Sequence, residues 1–138
     1  MSFSVRAVAG VALAVLVETS AFAAPAPAPN NDPGIVLPIW EHFVAAQSAH
    51  AACGLSDKAG DAVFAAAYND ISRRALIALR RLDRGAPDAK IVRQMGDSAG
   101  RIGGKVGAEV KANGCASPRI KALLDFYALH AKQAATHV

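Results

Sequence analysis

Apolar residues recur along most of this chain at spacings of three and four, the period that gathers side chains on one face of an α-helix. In a first stretch, Ile35 to Gly54, residues Val36, Trp40, Phe43, Val44, Gln47 and Ala51 fall on one stripe. A second, Asp57 to Gly85, repeats Phe64, Ala67, Ile71, Ala75, Ala78 and Leu82. A third, from Pro87 to Asn113, repeats Ile91, Met95, Ala99, Ile102, Val106 and Val110. The fourth, following Ser117, repeats Ile120, Leu123, Leu124, Tyr127, Ala131 and Ala134. No run alternates apolar and polar residues over a useful strand length.

The residues between these stretches are helix punctuation. Pro38 suits a first turn, and Gly54 a left-handed cap after the first helix. Ser56 or Asp57 serves as the N-cap of the second helix, and Gly85 follows its end. Pro87 opens the third helix with Asp88 against the positive helix end, and Asn113-Gly114 closes it. Ser117 and Pro118 provide the N-cap and first turn of the fourth. Short connections make neighbouring helices antiparallel, so the expected fold class is all-α, a four-helix up-down-up-down bundle. The second and third helices read as about 40 Å long and the others as about 28 Å. Their hairpin is therefore expected to project past the rest by two turns or more.

The stretch "MGDSAGRIGGKVGAEV", Met95 to Val110, sets five glycines inside the third helix. Each costs about 1 kcal/mol against alanine in a helix interior. With Met95 at the centre of the core face, Gly96, Gly100, Gly103 and Gly107 cluster between about 80° and 140° on the helical wheel, with Gly104 near 180°. The first expectation is a close-packing groove at Gly96, Gly100, Gly103 and Gly107, filled by a small-residue helix. Ala45, Ala46, Ala49 and Ala52 of the first helix, or Ala62, Ala65 and Ala66 of the second, are the candidates to fill it. The second is a break around "GRIGGKVG". The third is an anion cradle beside Arg101 and Lys105, which lacks the strand-loop-helix setting of a phosphate-binding motif.

The start of the chain reads differently. "MSFSVR" carries one positive charge, Ala7 to Val17 are apolar throughout, and Ala21-Phe22-Ala23 has the small-x-small form of a cleavage site. Residues 1–23 are expected to be a signal peptide, since an 11-residue apolar run is short for a bilayer span. Residues 24–34, "APAPAPNNDPG", are expected to be a disordered Ala/Pro-rich leader. Residues 35–138 remain as one helical bundle domain. In the oxidising compartment that export implies, Cys53 and Cys115 are expected to form a disulfide. In the up-down-up-down order, both lie at the same end of the bundle.

Composition narrows the function classes. The 138-residue chain has a formal charge of +4, and loss of Arg6 with Glu18 leaves that balance unchanged. One Trp and two Tyr provide little for base stacking, so nucleic acid is not the expected partner. The second hairpin concentrates Arg73, Arg74, Arg80, Arg81, Arg84, Lys90 and Arg93 among Leu76, Ile77, Leu79, Leu82, Ile91 and Val92. This is the candidate partner-binding surface, for another envelope protein, an anionic surface or a second copy of the chain.

Catalytic motifs are missing. His42, His50, His130 and His137 have no HxxxH or HExxH spacing, no GxSxG elbow occurs, and Glu41, Asp61 and Asp70 show no sign of convergence. No metal or cofactor is expected. The expected function is a periplasmic or secreted, non-catalytic helical binding protein, such as an inhibitor, immunity factor, chaperone or assembly subunit. It is not expected to be transmembrane after processing. The alternative is a small-ligand or metal carrier, with its ligand between helices near Tyr68 or at the glycine stripe.

Overall fold

The structure is a computed structural model that describes residues 30–133. The expected signal peptide, the leader as far as residue 29, and residues 134–138 lie outside it. The described chain folds into four helices: α1 (Pro33–Ala52), α2 (Lys58–Leu82), α3 (Asp88–Asn113) and α4 (Pro118–Lys132). Among the described residues there is no strand. None of their helices is long and apolar enough to cross a membrane.

Local chemistry sets the helix ends. The Asp32 side chain accepts the Gly34 N–H at 2.7 Å, which caps α1 one turn before Ile35. Pro33 and Gly34, which composition assigns to the leader, therefore belong to the first turn of α1, and Pro38 lies within the helix. Asp57 caps α2, and Ser117 precedes Pro118 at the start of α4. Gly54 (φ +65°) and Gly114 (φ +76°) adopt left-handed backbone after α1 and α3, where a Cβ would add strain. Both adjoin a cysteine. The turns they make help bring Cys53 and Cys115 into the disulfide, with Cα atoms 6.0 Å apart.

α1 is the centre of the molecule and packs on α2, α3 and α4. Its Val36, Trp40, Phe43, Val44, Ala45, Ala46 and Ala49 are all buried, which takes more than one stripe of the helix surface. Gln47 and Ala51, expected on the buried stripe, are exposed instead. The reason is the path of α4. It begins beside the end of α3, where Arg119 pairs with Glu109, and its Ala131 reaches Gly60 in the first turn of α2. α4 thus crosses α1 and covers Ala45 and Ala49 with Ile120 and Leu123, while α3 contributes Val106. The face of α1 that carries Gln47 and Ala51 has no helix over it.

The other end of α1 lies beside the second half of α2. Arg74 Nη2 donates to the Asn30 carbonyl at 2.6 Å, and Arg81 Nη1 to the Asn31 carbonyl at 3.3 Å. Ile91, near the start of α3, is fully buried. The α2–α3 hairpin consequently extends past α1 by less than the helix lengths suggest. Leu82, expected in the core, is 64% exposed because α1 does not reach it.

The glycines of α3 do not form the expected internal groove. A Cβ on Gly96, Gly100, Gly104 or Gly107 would meet no atom within 4 Å. Gly103 alone of this set is close to a neighbour, at 3.3 Å from Ser48 Oγ. The proposed fillers Ala62, Ala65 and Ala66 are exposed, and Ala45 and Ala49 are covered by α4. α3 also runs unbroken through the segment, so its amides are engaged in the helix and cradle no anion. The glycine that does admit a close approach is Gly60. There a Cβ would sit 2.6 Å from Asp57 Oδ2 and 3.3 Å from the Ala131 Cβ.

Candidate functional site

Three features of the described surface carry chemistry: the basic hairpin, a cleft between α2 and α3, and a polar cluster near the disulfide.

On the hairpin, most of the cations already have partners. Arg80 makes a bidentate pair with Asp88 through Nε and Nη2, both at 2.9 Å, and Lys90 reaches Asp83 at 3.3 Å. These contacts join the two arms across the loop. Arg73 pairs with Asp70 on its own helix at 2.9 Å, and Arg74 and Arg81 hold the backbone ahead of α1. Arg84 and Arg93 make no hydrogen bond or ion pair with a described residue. Such exposed pairs contribute little to stability, but they set where positive charge remains available. Beside Arg84 and Arg93, Ile77, Leu82 and Val92 are exposed.

The cleft lies where α2 and α3 diverge above α1. It is open to solvent, with a volume of about 590 Å³. Trp40 of α1 is its floor, Tyr68 and Leu76 line one wall, and Val92, Met95 and Ala99 the other. Gly96 keeps the second wall low, because a side chain there would project into open space. Along the α2 rim stand Asn69, Ser72 and Arg73. Burial pushes the Tyr68 phenol above its ordinary pKa, with the Ser72 hydroxyl opposing the shift, so Tyr68 remains a neutral hydroxyl at physiological pH. Trp40 is 4% exposed, and its indole N–H has no acceptor among the described residues.

The polar cluster was not legible in the residue spacing. Asp61 gathers groups from three helices. The Tyr127 hydroxyl donates to its Oδ1 at 2.6 Å, His50 Nε2 lies 3.5 Å from the same oxygen, and the Asp57 N–H donates to Oδ2 at 3.2 Å. The Tyr127 hydrogen bond lowers the Asp61 pKa, with the Asp57 amide and His50 acting in the same direction against desolvation. Tyr127 is raised far above the ordinary phenol value, first by burial and then by the Asp61 carboxylate. Its ring is sandwiched between His50 at 3.8 Å and Phe64 at 3.9 Å. A phenol held protonated and a carboxylate held ionised form a stable hydrogen bond. Neither is poised for proton transfer near neutral pH. The cluster joins α1, α2 and α4.

Two further histidines, His42 and His130, flank an aromatic group, and His137 lies outside the described residues. His42 meets Phe126 edge-on and His130 lies tilted against it, with centroids 4.4 and 4.3 Å away, and Phe126 meets Phe43 edge-on at 5.0 Å. Phe126, which falls outside the predicted stripe of α4, is thereby half-buried, while Leu129 is exposed. Desolvation lowers the His130 pKa; His42 adds to that shift, and a hydrogen bond with Gln133 opposes it. Among the described residues, no group of three or more His, Cys, Asp or Glu side chains is placed to hold a metal ion.

No protein-family model, curated protein or solved structure matches the chain.

Proposed function

We propose that this is an exported, non-catalytic binding protein that docks a partner protein on the end of its α2–α3 hairpin. The observation that carries the reading is that Ile77, Leu82 and Val92 of this hairpin are exposed, while Arg84 and Arg93 on the same hairpin have no partner among the described residues. Exposed apolar residues and free cations on one hairpin suit a partner surface that offers apolar and acidic groups. Export rests on the signal-peptide reading of residues 1–23 and is supported by the Cys53–Cys115 disulfide, which favours an oxidising compartment. The up-down-up-down order belongs to the same reading. Its support is the pairing of Arg74 with Asn30 and of His50 with Asp61 for opposite α1 and α2, and the disulfide for co-directed α1 and α3.

Photo-crosslinking in the native envelope tests the surface. A crosslinker replacing Leu82 or Val92 should trap one protein species, whose mass separates a partner from a second copy of the chain. A crosslinker at Leu129, which is 55% exposed but far from the hairpin in sequence and on α4, should not trap it. Equal capture from Leu129, or capture from Leu82 that survives Arg84→Glu with Arg93→Glu, would remove the basis for the hairpin as the docking surface.

A further inference from the structure

The cleft over Trp40 adjoins the hairpin surface, with Val92 common to both, and has the features of a small-molecule site. Its volume of about 590 Å³ falls within the range of about 300–1,000 Å³ usual for pockets that take small organic ligands. Its inner surface is apolar, from Trp40, Leu76, Met95 and Ala99. Its polar groups stand along one rim, on α2. The lining contains no carboxylate, and Arg73 is its single charged side chain. The nearest acidic group known to engage Arg73 is Asp70, which takes only Nη2 of the guanidinium. Both side chains of that pair are largely exposed, at 76% and 59%, so the pair is weak. An arriving anion would find donors free. Gly96, meanwhile, keeps the apolar wall open at a position where alanine or leucine would make a better helix.

We propose that this cleft binds an amphipathic organic anion, with its hydrocarbon or aromatic body over Trp40 and between Leu76 and Met95, and its anionic group at Arg73. The chemistry is that of a medium-chain carboxylate. Of the α3 glycines with open space beside them, Gly96 is the one in the cleft wall, and its missing side chain leaves room there for a ligand.

Trp40 is the only tryptophan in the chain, so indole fluorescence reports on its surroundings, this cleft and the groove beside Glu41 and Arg101, and the Arg73 and Gly96 variants assign a change to the cleft. The experiment titrates the full mature chain with dodecanoate below its micelle threshold, with dodecanol as the neutral comparison. A saturable change in Trp40 emission is expected with dodecanoate. Arg73→Gln should weaken dodecanoate about tenfold and leave dodecanol unaffected. Gly96→Leu should block the titration while keeping or raising the melting temperature, which separates loss of binding from loss of fold. The proposal is overturned by the absence of saturable binding, by a Gly96→Leu chain that titrates like the wild type, or by equal affinity for dodecanol and dodecanoate. It is also overturned if the wild type is a dimer in solution that Gly96→Leu makes monomeric, because the cleft would then be a seam between copies.

Discussion

α1 and α3 use small residues to opposite ends. In α1 the small residues are alanines, and Ala45, Ala46 and Ala49 are buried at 7%, 0% and 0% exposure. They let α4 and α3 approach the central helix closely, and the aromatic rings of Trp40 and Phe43 occupy the wider spaces. In α3 the small residues are glycines, and of its residues only Ile91 and Val106 are buried. Four of its glycines face open space. A missing Cβ is thus not evidence of close packing. The same lack of bulk that allows helices to approach in one place leaves a recess in another, and the position of the neighbouring helices decides which.

The disulfide joins these two helices and offers the largest perturbation. Cys53→Ser with Cys115→Ser opens a loop whose ends are 62 positions apart. It should cost about 4 kcal/mol in the chain-entropy account, measurable as a lower urea midpoint. Overfilling the small sites of α1 comes next. Ala46→Leu or Ala49→Leu, at fully buried positions, should destabilise by about 2–3 kcal/mol. Gly100→Leu on α3 should not, and an equal loss there would show that the face is covered in solution.

A subtler contrast lies between two glycines. Gly100→Ala should stabilise by about 1 kcal/mol, the helix-propensity difference with nothing to oppose it. Gly60→Ala should destabilise by about 1 kcal/mol, because the Asp57 carboxylate 2.6 Å away must swing aside and the Ala131 methyl group at 3.3 Å must give. Thermal unfolding of both variants would show opposite shifts in melting temperature; shifts of one sign would merge the two classes.

The smallest effect concerns pH. Since desolvation lowers the His130 pKa in the folded state, the unfolded chain takes up that proton first as the pH falls. The fold should keep the full contribution above the ordinary imidazole value of about 6.5 and lose it as the pH drops below that value. Asp61, whose pKa is also lowered, adds a second loss below the ordinary carboxylate range. Melting temperatures between neutral and mildly acidic pH should decline, and His130→Gln should flatten the first part of that decline. An unaltered slope would mean that His130 is as well hydrated in the fold as in the unfolded chain.

Much of the architecture was legible because it depends on local rules. Helix period, the proline and glycine punctuation, and the even cysteine count each act within a few residues or through a simple pairing. The buried sets of α2 and α4 largely matched their stripes, with Phe64, Ile71, Ile120, Leu123 and Tyr127 all inside. The sites were less legible. The Asp61 cluster draws on His50 and Tyr127 from other helices, and no spacing records an approach of that kind. The cations of the hairpin were visible, but not that Asp88, Asp83, Asn30 and Asn31 would engage partners among them seven or more residues away.

The sequence by itself determined that the described chain is helical, where each helix begins and where α1, α2 and α3 end to within a turn, and which two cysteines pair. These follow from backbone conformational preference and periodic burial, which are properties of short segments. Only the tertiary structure decided that α1 lies at the centre, that α4 crosses it, and that Gly96 of α3 borders a cleft while Gly100, Gly104 and Gly107 face open space rather than a helix. Crossing and coverage depend on how side-chain volumes from distant segments fit together. A glycine contributes no volume of its own, so its meaning is set by what stands opposite it.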